Sequence, residues 1–324
     1  MPRFILHHLT KYTYESAVKN SANKIMLFPL ADEYQELVKQ KLTITGNPLI
    51  ETYQDYYGNE VGYFTYTPPH SQLLIESKIE VITKPRILPA CVLSQAAQWE
   101  MVNQFASNAM LMDYLKQEDF DKLQEVDDIV MGMQLQTEPT LTAAEKLNNY
   151  VYTNFNYIKG ITEVDTTLDE IWHLRAGVCQ DFAHFLLVTL RMAGIPARYV
   201  SGYVCPLNGN YRGEGATHAW VEAYLPELGW VGLDPTNNCL VSDLHIRLAV
   251  GRNFRDCSPV RGTYVGTSRH ELEVKVNVSY QDGRSFEDSN TSTAAPVKNM
   301  TNTTDTGTNS YRSYMEMMQQ QQQQ

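Results

Sequence analysis

Cys179, His218 and Asp234 are residue types that acyl-transfer chemistry can use as nucleophile, base and orienting partner. Cys179 lies near the start of the run AGVCQDFAHFLLVTLRMAGIPARYVSGY, residues 176–203. Cys179, Phe182, Ala183, Leu186, Leu187 and Leu190 recur with the period of one helical face, which predicts a buried helix. On that stripe the cysteine reads as a small hydrophobe, more often a structural thiol than a reactive one. Its place along the helix gives a second reading. A thiol in a first helical turn meets unsatisfied N–H groups and the positive end of the helix dipole, and both favour the thiolate. The same amides can donate to an oxyanion. A nucleophilic thiolate calls for a base, and the base for an orienting partner. His218 begins the strand-like HAWVEAYL, on one face with Trp220, Glu222 and Tyr224, while Ala219, Val221, Ala223 and Leu225 form the other. Asp234 ends the apolar WVGLD and precedes Pro235. Taken singly, a strand histidine is more often structural and an Asp-Pro is more often a turn or cap.

The hairpin between those strands decides whether His218 and Asp234 share a face. If PELG is a four-residue loop, Leu225 faces Trp230 and Asp234 falls opposite Val221, on the face away from His218. If Tyr224 faces Trp230 instead, Asp234 falls opposite Trp220. It is then diagonal to His218 on the same face, at roughly 7–8 Å between strand positions. A triad requires the second register, or a bulge that has the same effect, and the second register is therefore the expected one.

Three regions carry these residues. Residues 1–88 read as a β-rich domain: KLTITG, VGYFTYT and LLIESKIEVIT alternate, and Gly46-Asn47-Pro48, Gly58-Asn59 and Pro68-Pro69 punctuate them. Pro85 and Pro89 mark its end. Residues 89–280 form the core that holds the chemistry. It opens with helices, one of them predicted to start at a Thr142–Glu145 capping box before KLNNYVYTNF. The long helix from Cys179 is predicted to be capped by Gly194, with Pro196 beyond. ARYVSGYV, THAWVEAYL, WVGLD and SRHELEVKVNVSY read as strands. Residues 281–324, rich in Ser, Thr and Asn and ending in six glutamines, are expected to be a disordered tail.

Composition narrows the function. Apolar residues make up 43% of the 324, and the formal net charge is −11. An acidic chain lacks the basic surface that phosphate neutralisation needs, so no nucleic-acid partner is expected. Cys91, Cys179, Cys205, Cys239 and Cys257 lack the spacing of a metal site or a disulfide framework. Neither a signal-peptide core nor a run of about 18 apolar residues occurs, so a cytoplasmic protein without a membrane partner is expected. His184, about 140° round the helix from Cys179, should point elsewhere. Asp181 fits a first-turn helix charge. His7, His8, His70, His173, His245 and His270 are scattered and are given surface or packing roles.

The run GVCQDFAHFLLVTLRMAGIPARYVSGY, followed by THAWVEAYLPELGWVGLDPTNN, resembles the transglutaminase-like core of bacterial proteins, within the papain-like cysteine enzymes. Cys179, His218 and Asp234 match that pattern residue by residue. Residues 1–85 resemble the β-rich N-terminal region that often precedes this core, through YQDYYGNEV, PPH and the strand that follows. VRGTYVG and the strand after it resemble the usual ending. The resemblance implies an α+β fold: a β-sandwich-like N-terminal domain, then a papain-like core whose cysteine helix packs on an antiparallel sheet. It implies a Cys179-His218-Asp234 triad acting on amide bonds of peptides or proteins through a thioester acyl-enzyme. Hydrolysis by a cysteine peptidase or amidase is the leading expectation. Transfer of a γ-glutamyl group to an amine and a non-catalytic peptide-binding or assembly module are the alternatives. No cofactor is implied, and no calcium site is visible. Tyr157 and Trp172 are candidates for a second oxyanion donor, each weighed against a packing role.

Overall fold

The computed structural model describes residues 1–162, 166–205, 212 and 217–280, together with the backbone of 285–292. The chain divides into two compact units. The first holds Met1–Ile87, Val200–Ala219 and the described residues from Val241 onward; the second holds Leu88–Tyr199 and Trp220–Leu240.

The first unit begins with β1 (Arg3–Ile25), followed by β2 (Gln35–Ile44), β3 (Glu51–Gln54), β4 (Glu60–Tyr66) and β5 (His70–Thr83). β1 organises the sheet. Its first half pairs antiparallel with β5 on one side and with β14 (His270–Tyr280) on the other. Register shifts between Thr13 and Val18 and between Lys19 and Ala22 mark the bend. Beyond it β1 pairs with β4 and with β13 (Val260–Val265). One bulged strand thus serves two antiparallel arms, as at the corner of a sandwich. Phe4, Leu6, Ile25, Phe64, Ile75 and Val276 lie in its apolar core. On β1 the buried positions continue through His8 and Thr10. His8 Nδ1 and Nε2 are matched by the Tyr203 hydroxyl at 2.8 Å and the Thr10 hydroxyl at 3.0 Å. Two polar residues therefore interrupt the apolar alternation, which is why β1 is not obvious in the sequence. The YQDYYGNEV turn, with Gly58 at φ 83°, is also fixed from within this unit. Buried Asn59 donates to the Val250 carbonyl and accepts from the Val250 N–H, both at 2.8 Å.

The second unit contains α1 (Gln95–Phe105), α2 (Leu123–Gly132), α3 (Thr140–Asn154), β6 (Asn156–Tyr157), α4 (Leu168–Leu174), β7 (Ala176–Gly177) and α5 (Cys179–Met192). α5 packs against α2, α3 and α4. Phe182, Ala183, Phe185, Leu186 and Leu190 are fully buried, each large side chain contributing about 1.5–3 kcal/mol. α5 ends where Gly194, at φ 78°, takes the left-handed conformation. Ile195 N–H bonds the Leu190 carbonyl and Gly194 N–H the Arg191 carbonyl, a Schellman cap as expected from the glycine. α3 differs from expectation. It starts at Thr140 without a side-chain cap, so Thr142 and Glu145 lie inside it. The capping box belongs to α4, where Thr167 and Glu170 bond reciprocally.

A second sheet runs in the order β11 (Cys239–Leu240), β10 (Gly229–Asp234), β9 (Thr217–Leu225), β8 (Ala197–Val204) and β12 (His245–Gly251). The chain passes between units within β8 and β9. The fold is α+β, with the cysteine helix and antiparallel sheet of a papain-like core. A short helix α6 (Phe254–Cys257) follows β12. β15 (Ser285–Ser292) stands where the tail was expected to begin, paired antiparallel with β14. Ladder hydrogen bonds can hold such a polar edge strand without a large apolar face. The rest of that tail, residues 281–284 and 293–324, lies outside the described residues. Among the described residues no helix is long and apolar enough to cross a membrane.

Candidate active site

Cys179 is the first residue of α5 and is partly buried. The segment leading to it is built by local rules. α4 ends at Arg175, a non-glycine residue at φ 47°, whose guanidinium lies 3.2 Å from the centre of the Trp172 ring. Then β7 pairs parallel with β6: Asn156 N–H donates to the Arg175 carbonyl at 2.8 Å and Ile158 N–H to the Gly177 carbonyl at 3.0 Å. Val178 stays extended, and the helix begins.

Val178 has no side-chain acceptor with which to cap this helix. Asp181 supplies one from within the first turn. Its Oδ2 accepts the Val178 N–H at 2.7 Å and the Thr162 hydroxyl at 2.6 Å. Asp181 is a first-turn charge, as expected, but it is only 1% exposed. Burial pushes its carboxyl up to about 6, against the pull of the Thr162 and Val178 hydrogen bonds. Gly177 makes room for it, since a Cβ there would sit 2.4 Å from Asp181 Oδ2. The sequence signals were present, a glycine two residues before the cysteine and an aspartate two residues after it, but only the fold shows that they share one space.

The hairpin takes the register that the triad requires. Trp230 pairs with Tyr224, Gly229 with Leu225 and Leu233 with Val221. Continued by one residue, the same register would set Asp234 opposite Trp220, two positions from His218 along β9. Asp234 and His218 are both buried. Asp234 Oδ1 accepts the N–H groups of Thr236 and Asn237 at 2.9 and 3.2 Å, and its Oδ2 accepts Asn237 Nδ2 at 2.8 Å. Its own carbonyl accepts Asn148 Nδ2 from α3 at 3.3 Å. The turn after β10 therefore gives the buried carboxylate three donors and ties it to the helical layer.

His245, placed by sequence among surface or packing residues, is buried, with its ring 6.2 Å from that of His218. Its Nδ1 accepts the Ser242 N–H at 3.3 Å. Nothing in its spacing distinguishes it, because β12 lies far from β9 in sequence. His184 turns toward Tyr199, ring centres 5.4 Å apart, as its helical angle predicts. Trp172 stacks on Phe185 at 5.2 Å, a packing contact. Tyr157 lies beside Gly177 in the β6–β7 pair, its ring in a T-shaped contact with Phe182, centres 6.1 Å apart.

This arrangement is the cysteine-helix and strand-hairpin layout of papain-like folds. The chain belongs to the transglutaminase-like superfamily: residues 127–235 match the family described by that name, and residues 4–82 match the bacterial transglutaminase-like N-terminal region. The chain is 33% identical over 292 residues to the uncharacterized protein Rv2569c of Mycobacterium tuberculosis, covering 85% of this chain and 92% of that one. It is 37% identical over 110 residues to a protein-glutamine gamma-glutamyltransferase of Pseudomonas aeruginosa, covering 32% of this chain and 16% of that protein. A crystal structure of a candidate cysteine protease from Cytophaga hutchinsonii has the same fold, with a TM-score of 0.70 at 21% identity, covering 87% of this chain and 92% of that one.

Proposed function

We propose that the protein is a thiol enzyme that acts on amide bonds of peptides or proteins through Cys179, His218 and Asp234, and that water is the acyl acceptor. The observation that carries the reading is the hairpin register, in which Tyr224 faces Trp230 and Leu233 faces Val221. The alternative pairing would have turned Asp234 to the other face.

In this reading Cys179 attacks the amide carbonyl as thiolate while His218 holds the proton. Asp234, fixed by its turn, sets the imidazole tautomer and stabilises the cation. First-turn amides of α5 receive the oxyanion. His218 then protonates the departing amine, and a thioester remains on Cys179. A water molecule that gives its proton to His218 cleaves the thioester and restores the thiol. Acyl transfer to an amine, making the protein a protein-glutamine gamma-glutamyltransferase, is the second reading; likeness to the Pseudomonas protein of that name favours it. In a third, the chain binds peptides without turnover. What supports a cytoplasmic location is the odd, scattered set of five cysteines, which lacks the spacing of a disulfide framework. No nucleic-acid or membrane partner is part of the reading.

The test is mass spectrometry of a peptide library incubated with the protein, with and without an added primary amine, and with Cys179→Ala as control. Chain cleavage or a one-dalton gain at glutamine, lost in Cys179→Ala, is expected. Amine adducts would select the second reading. Turnover retained by a folded Cys179→Ala would rule out the nucleophile, and no turnover of any kind would leave the binding module.

A further inference from the structure

Three ties join the segment Asn156–Thr162 to the stretch Arg175–Asp181 that carries Cys179. Two are backbone bonds, from Asn156 to Arg175 and from Ile158 to Gly177. The third runs through a side chain, from the Thr162 hydroxyl to Asp181 Oδ2. That same oxygen accepts the N–H of Val178, the residue before Cys179. Gly177 lacks the Cβ that would fill the carboxylate's place. Cys179 is thus bracketed by Val178 and Asp181, and one buried oxygen fixes both ends of the bracket.

A helix cap would account for the Val178 bond alone, and its loss would cost stability and nothing more. It does not account for the shared Thr162 hydroxyl, which holds the neighbouring loop to the same atom. We propose that Asp181 is a positioning residue for Cys179: by holding the Val178 N–H and the Thr162 hydroxyl on one oxygen, it sets the direction of the peptide entering α5, and with it the thiol and the amide offered to the oxyanion. The inference rests on Cys179 being the nucleophile. The role belongs to the acceptor geometry rather than to the charge. Both bonds converge on one oxygen, so an asparagine can reproduce them with its carbonyl.

The test compares Asp181→Ala, Asp181→Asn, Thr162→Val, Thr162→Ser and Cys179→Ala. The substrate is the library peptide that the wild type turns over fastest, and urea unfolding checks that each variant folds. Asp181→Ala should lower kcat by about 10- to 100-fold with KM within about twofold, the size expected when a reacting group is displaced by about 1 Å. Thr162→Val should lower kcat in the same direction by about 3- to 10-fold, since one of the two bonds remains. Asp181→Asn and Thr162→Ser should recover most of the rate. Wild-type kcat in Asp181→Ala, a loss confined to KM, or an asparagine variant as slow as the alanine one would overturn the proposal. If Asp181→Ala does not fold, the Thr162 pair decides in the same way. Turnover retained by Cys179→Ala would refute the nucleophile reading instead. The rate of iodoacetamide alkylation at Cys179, read by mass spectrometry, would then decide this inference. Slower labelling in Asp181→Ala but not in Asp181→Asn supports it; equal rates sink it.

Discussion

Replacing Asp181 with asparagine should stabilise the folded protein above pH 7, the reverse of what most substitutions at buried sites do. Thr162 and Val178 both donate to Oδ2. An asparagine carbonyl in that position keeps both bonds, and what is removed is the buried charge. Burial raises the Asp181 carboxyl from 3.8 to about 6. The folded protein therefore holds this proton more tightly than the unfolded chain does. Stability falls as pH rises from about 4 to about 6, and above that window the full penalty stands, about 3 kcal/mol for a shift of roughly two units. Imperfect fit of the amide will take back part of this. Asp181→Asn should thus exceed wild type by about 1–3 kcal/mol at pH 8, with the advantage shrinking toward pH 4. Urea unfolding of both proteins at pH 8, 6 and 4 measures it, and the difference at each pH cancels every other titrating group. A difference that does not change with pH would refute the reasoning.

Gly177→Ala would press a methyl group onto Asp181 Oδ2, and should cost about 1–3 kcal/mol. A double-mutant cycle with Asp181→Gly in urea should show coupling between the two sites, and strict additivity would refute the contact. Burial, with a smaller contribution from His7, lowers His8 to about 4 from 6.5. The unfolded chain takes up this proton first, so stability should be lost as pH falls through that window, by about 3 kcal/mol. His8→Gln should lack that loss when its urea midpoints are compared with wild type. Arg198 donates to the fully buried Glu222 at 2.6 and 2.8 Å and lies 4.1 Å from the centre of the Trp230 ring. Arg198→Met, which removes both of these donors from the buried carboxylate, should cost about 3–5 kcal/mol in urea unfolding, and Arg198→Met with Glu222→Leu much less.

What the sequence showed best was whatever is local and periodic. The α5 stripe, its Gly194 cap and the alternation of β5 and β9 all depend on near neighbours. The hairpin register was legible once chemistry was used as a constraint, because only one pairing lets Asp234 share a face with His218. β1 was hidden by His8 and Thr10, polar residues whose burial depends on partners such as Tyr203, far away in sequence. The α3 start was misplaced because Thr142 and Glu145 have capping spacing, but the helix already begins at Thr140. A motif fixes where a cap can form, not where the chain chooses to enter the helix.

Around Cys179 the chain departs from its local rules in several places at once. Arg175 occupies the left-handed region without being glycine, a conformation that costs roughly 1–2 kcal/mol and is held here by its stacking on Trp172. Gly177 gives up a side chain, and Asp181 places an ionisable group in a buried turn. Elsewhere α5 carries a buried apolar stripe from Phe182 to Leu190, with a glycine cap after it. Such concessions beside one cysteine are what a stability–activity trade-off predicts for the reactive thiol proposed above. A buried packing cysteine needs neither a left-handed arginine before it nor a carboxylate behind it. If Cys179 were only core, Asp181→Ala would cost a helix cap and nothing more; as a nucleophile's support, the acceptor must stay even where the charge does not.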